Sequence, residues 1–118
     1  MSKLDYLKSV QKCSIDKKRI AEIEKIYSTN LNTLLSQIIS YADKEDFIDD
    51  ERRVLSFKEI LKPEKYLEFN FAKKKLIPII DAYDNIFIVY ILDEDRWARF
   101  SISDSTLYKK RSTLKEVL

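Results

Sequence analysis

The chain has 118 residues, 45% hydrophobic and 36% charged, with a formal net charge of +2, which suits one folded domain and is too apolar for disorder. It contains no histidine, no glycine and a single cysteine, Cys13. Those absences exclude imidazole catalysis and His-ligated metals, glycine-rich phosphate loops and dinucleotide fingerprints, and an internal disulfide or thiolate metal site. Residues 1–53 carry 10 basic and 10 acidic groups and the remaining 65 carry 12 and 10, so neither half has the concentrated positive face of a nucleic-acid binder. No apolar run reaches membrane-spanning length and Met1 to Val10 lacks a signal-peptide core, which makes the expected location cytoplasmic.

In chain order, Ser2 to Lys12 carries a weak helical stripe of Leu4, Leu7 and Val10. Asp16 to Tyr27 is a clearer helix, with Ile20, Ile23, Ile26 and Tyr27 on one face and lysines and glutamates outward. Ser28-Thr29-Asn30 breaks it and offers an N-cap to the next helix. That helix has the strongest period in the chain: Leu31, Leu34, Leu35, Ile38, Ile39 and Ala42 form one broad apolar stripe.

A hydrophilic connector follows, Asp43 to Glu51, with Phe47-Ile48 as its apolar interruption. Val54-Leu55 fits a short strand, and Ser56-Phe57-Lys58-Glu59 has capping-box spacing for a helical turn. Pro63 ends that turn or opens the next piece, and Tyr66 to Phe71 has no clear period.

From Leu76 the period changes to that of strands. Leu76 to Ile80 contains Pro78, which points to an edge strand or a bulge. Ile86 to Leu92 is continuously apolar and β-branched, as in a central strand covered on both faces. Trp97 to Ile102 alternates, placing Ala98, Phe100 and Ile102 inward and Trp97, Arg99 and Ser101 on a wetter side. Asp81–Asn85 and Asp93-Glu94-Asp95 read as hairpin turns in which Asp and Asn replace glycine. Thr113-x-x-Glu116 can cap a short terminal helix, Leu114 to Leu118. With no internal repeat or linker, residues 1–118 read as one α+β domain: a mainly antiparallel sheet of about 4–6 strands with N-terminal helices packed on one face.

This order of elements resembles the SUKH superfamily, the SMI–KNR-like domains of bacterial toxin-immunity proteins and fungal cell-wall regulators. The resemblance spans roughly residues 18 to 118 and rests most on VLSFKEI, Val54 to Ile60, and FAKKKLIPIIDAYDNIFIVYIL, Phe71 to Leu92. Where the family usually has Leu-Pro opening its second helix and Asn-Gly closing it, this chain has Asn30-Leu31-Asn32 and Ala42-Asp43-Lys44. The resemblance implies a domain without enzymatic activity or cofactor, commonly one that binds and neutralises a cognate polymorphic toxin. The alternative is a regulatory module of the same type, self-associating through an exposed strand.

Four features are candidate sites. Asp81, Asp84 and Asn85 are explained by turn geometry without any acid–base role. The segment holding Asp43, Glu45, Asp46, Asp49, Asp50 and Glu51 has two readings: a solvated loop, or a docking surface steered toward the basic cleft of a nuclease-type toxin. Trp97, the only tryptophan, could anchor an interface or pack under the helices. Lys73-Lys74-Lys75 and Lys109-Lys110-Arg111 read as exposed strand ends rather than phosphate contacts.

Overall fold

A computed structural model describes residues 2–118. Helices α1 (Lys3–Gln11), α2 (Lys17–Tyr27) and α3 (Thr33–Tyr41) come first, then strand β1 (Arg53–Val54) and the short helices α4 (Phe57–Leu61) and α5 (Pro63–Tyr66). Strands β2 (Leu76–Asp81), β3 (Ile86–Ile91), β4 (Arg96–Ser101) and β5 (Thr106–Arg111) follow, and α6 (Leu114–Val117) closes the chain. The strands form an antiparallel meander in the order β1-β2-β3-β4-β5, so the fold is α+β as expected.

Local chemistry accounts for the helix starts. Asp16 accepts hydrogen bonds from the backbone N–H groups of Lys18 and Arg19, and Ser56 and Glu59 complete the expected capping box. The third helix is capped by Asn32, whose Oδ1 accepts from Leu35 N–H at 2.9 Å, not by Ser28-Thr29-Asn30. Ser28 instead ends α2 in the left-handed region at φ 52°. On α1 the buried residues are Tyr6 and Val10, while Leu4 faces solvent. Tyr6, four residues from Val10, meets Tyr41 edge-on at 6.0 Å, and this aromatic contact sets the helix rotation. On α2 Ile20, Ile23 and Tyr27 are buried but Ile26 is left exposed.

Ten described residues adopt positive φ without glycine. Ser28, Asp43, Asp84, Asn85, Asp95 and Ser105 are the residue types that tolerate it; Glu68, Lys75, Tyr83 and Lys109 are not.

Strand register assigns the two sheet faces. Phe87 pairs with Phe100, and Tyr90 with Trp97, on opposite sides of the sheet because they are an odd number of residues apart. On the Tyr90 side, Asn32 Nδ2 donates to the Tyr90 hydroxyl at 3.4 Å and Arg99 Nε donates to the Val117 carbonyl at 3.1 Å, which places α6 over β4. On the Phe87 side lie Phe69 and Phe71. Phe71 sits 5.3 Å from the Phe87 ring and 5.9 Å from Phe100, and Phe69 lies 5.3 Å from Phe100. The stretch with no clear period is therefore an aromatic cover for the second face, and β3 is buried from Phe87 to Ile91.

Two bulges shape this sheet. Between Pro78 and Ile80 the register slips, so Leu76 to Ile80 are all buried and Pro78 sits beside the irregularity, as its missing N–H requires. In β5 the left-handed Lys109 takes up the extra residue opposite β4. The expected strand end at Lys109-Lys110-Arg111 is the close of this six-residue strand, Thr106–Arg111, whose first half carries no sequence signal. As a sheet edge it buries nothing fully, and no alternation marks it.

Candidate functional site

The acidic segment folds back on itself. Ile48 N–H donates to the Arg52 carbonyl at 2.9 Å and Val54 N–H to the Asp46 carbonyl at 2.8 Å, with Phe47 bridging to Arg53. Ile48 is fully buried and pins the loop from within, whereas the neighbouring Phe47 is 55% exposed.

This folding divides the acids. Asp43 forms an ion pair with Arg19 at 3.1 Å and accepts from Phe57 N–H at 3.4 Å, joining α2 to α4. Asp49 accepts from Arg52 Nε at 2.9 Å and from Glu51 N–H at 3.0 Å. The Arg52 hydrogen bond holds the Asp49 carboxyl below the ordinary carboxylate range. Glu45 is half-buried. Asp46, Asp50 and Glu51 are exposed and make no ion pair among the described residues.

The two arginines that follow are occupied as well. Arg53 grips Glu59 through two bonds of 2.8 Å and reaches Asp81 at 3.5 Å, so its charge is matched inward and not against the loop acids. Burial raises the pKa of Glu59, but hydrogen bonds from Arg53 and Ser56, with the Arg53 charge, outweigh it and hold the carboxyl below its ordinary value of 4.5. A depressed folded-state pKa contributes stability that is complete above 4.5 and is lost as pH falls through the lower folded value. Glu59→Gln is expected to cost about 1–2 kcal/mol at pH 7 and to flatten the acid limb of stability, read by urea unfolding against pH. An acid limb identical to wild type would contradict the pairing.

Beside this loop stands the β2–β3 turn. Tyr83, Asp84 and Asn85 have φ of 76°, 55° and 61°, and Asp81 Oδ1 accepts from Tyr83 N–H at 3.0 Å. Left-handed backbone is costly for a bulky aromatic, and it holds the Tyr83 side chain out at 72% exposure. Phe47 and Tyr83 line one shallow depression of about 190 Å³ together with Asp50, Glu51 and Asp81 and the two paired arginines, Arg52 and Arg53. The structure thus joins two exposed aromatics to the uncommitted Asp50 and Glu51, with Asp46 next to Phe47 in the chain. The sequence signal for this was an aromatic in each of two acid-rich loops.

Trp97 is not part of the surface. It is 4% exposed and meets Tyr90 edge-on at 4.9 Å, because the C-terminal helix folds over the side of β4 that alternation marked as wetter. Cys13 is half-exposed, with Lys44 Nζ at 3.4 Å from its sulfur. Among the described residues no group of three or more His, Cys, Asp or Glu side chains could hold a metal ion, and no helix is long and apolar enough to cross a membrane.

No protein-family model, curated protein or solved structure matches this chain.

Proposed function

We propose that this domain is a non-enzymatic binding protein that acts in the cytoplasm as an immunity protein, neutralising a cognate toxin by direct contact. The observation that carries the reading is the surface where Phe47 and Tyr83 stand exposed beside Asp46, Asp50 and Glu51. Aromatic anchors provide binding energy, and an acidic rim speeds encounter with a basic partner such as the nucleic-acid cleft of a nuclease. The same charge repels phosphate, so this surface is assigned to a protein and not to nucleic acid. The SUKH resemblance supports the toxin partner and rests on the order of elements over roughly residues 18 to 118, most of all on the stretches Val54 to Ile60 and Phe71 to Leu92.

The test is co-expression with a candidate cognate toxin. Wild type is expected to restore growth. The variant with Asp46→Lys, Asp50→Lys and Phe47→Ser should fold but fail to rescue, with association slowed roughly tenfold or more at low salt. Rescue by this variant at an unchanged on-rate would remove the surface from the account. The second reading, a self-associating regulatory module without a toxin, is favoured by the unpaired edge of β5. A neighbouring toxin gene that the chain does not neutralise would shift the assignment to it.

A further inference from the structure

Four of the exposed large apolar side chains, Phe47, Tyr83, Ile26 and Tyr66, stand at two surfaces of opposite charge, while Leu4, Ile15 and Tyr108 lie elsewhere. One is the acidic surface around Phe47 and Tyr83. The other is a groove of about 460 Å³ between α2 and α4–α5, walled by Ile26, Leu61, Pro63 and Ala72. Ile26 is 46% exposed here, the outward residue of an otherwise well-buried helix face, and Tyr66, 43% exposed, ends α5 alongside. Beyond Ile26 the groove continues into a second hollow reaching Lys73, Lys75 and Leu92. Five lysines line this region (Lys25, Lys62, Lys65, Lys73 and Lys75) against three acids, and of the five only Lys75 forms an ion pair, with Asp93 at 3.5 Å.

The two surfaces lie toward opposite ends of the β2–β3 hairpin. Lys75 and Leu92, joined by a 3.0 Å backbone hydrogen bond, mark the groove end, and Asp81 and Tyr83 mark the acidic end, one six-residue strand of about 20 Å away. No chain can close such a contact on itself, yet a second copy presents the complement that each end lacks.

We infer that copies of this domain associate head to tail, with the Phe47 loop of one entering the lysine-rimmed groove of the next. Charge sets the orientation, since acidic loop against acidic loop and groove against groove both repel. A heterologous contact does not close at two copies, so the chain grows with concentration. A contact made by one loop in one groove, oriented by exposed charges, is weak and strongly salt-dependent. The inference does not depend on a toxin partner, because the chain is tested alone. It also hides Phe47 until a tighter basic partner displaces the neighbour.

Sedimentation velocity of the full chain at rising concentration tests it. At low salt the mass is expected to pass through dimer to larger species, and at about 1 M salt, where screening acts within about 3 Å, to return to monomer. Two variants remove one end each: Phe47→Ser with Asp46→Asn and Asp50→Asn, and Ile26→Ser with Lys62→Gln and Lys65→Gln. Each alone should lose roughly tenfold or more in self-association. Mixed, they should form a one-to-one complex and nothing larger, because one intact loop meets one intact groove. A wild type monomeric throughout at low salt, a species that stops at dimer, or a mixture that stays monomeric would each overturn the inference.

Discussion

Phe71→Ala is expected to lower the free energy of unfolding by about 3–5 kcal/mol, read as a shift in the urea midpoint with little change in slope. Phe71 is fully buried and touches the rings of Phe69, Phe87 and Phe100. Removing its ring opens a cavity against β3 and β4 that no neighbouring backbone can fill, since β3 and β4 are held by a complete antiparallel ladder. Phe69, only half-buried, cannot replace it. A loss below about 1 kcal/mol would mean that the aromatic stretch is not what shields that face.

The second large effect separates a buried aromatic, Trp97, from an exposed one, Phe47. Trp97→Ala is expected to destabilise by about 3–5 kcal/mol, because its ring lies between β4 and the layer closed by α6 and stacks edge-on against Tyr90. Phe47→Ala should change stability by no more than about 0.5 kcal/mol while weakening partner binding by about 2 kcal/mol, roughly thirtyfold. Thermal unfolding of both variants, beside a binding isotherm for Phe47→Ala, checks the division. Stability loss at Phe47 with none at Trp97 would reverse the assignment of core and surface.

The parts of this fold legible in the sequence are those where local chemistry and burial agree. Ser56 and Glu59 cap α4 because their spacing satisfies two backbone donors at once, whatever surrounds them. Ile86 to Ile91 had to be central because a run without alternation leaves no face for water. The turns at Asp81–Asn85 and Asp93–Asp95 were visible through Asp and Asn in a chain without glycine. What escaped depends on elements far apart in sequence. Trp97 is buried by a helix that begins at Leu114, and strand alternation cannot see it. Tyr6 displaces Leu4 from the core through Tyr41, and β5 carries no apolar face because it is an edge.

The candidate site was legible as charge but not as arrangement. The acid-rich stretch from Asp43 to Glu51 is plain in the sequence, yet Asp43 and Asp49 are tied to Arg19 and Arg52, leaving Asp46, Asp50 and Glu51 for solvent. The juxtaposition of Phe47 with Tyr83 arises because Arg53 pairs with Asp81 across β1 and β2, bringing two loops more than 30 residues apart onto one surface. Pairing of a two-residue strand leaves no periodic trace.

Hydrogen–deuterium exchange of the chain, free and mixed with a candidate cognate toxin, is the decisive measurement for the proposed binding surface. The account predicts slowed exchange at residues 46–53 and 82–85 on complex formation, with the amides of α1 unchanged. Protection confined to the helical layer, leaving the Phe47 loop and the Tyr83 turn as fast as in the free chain, would contradict it.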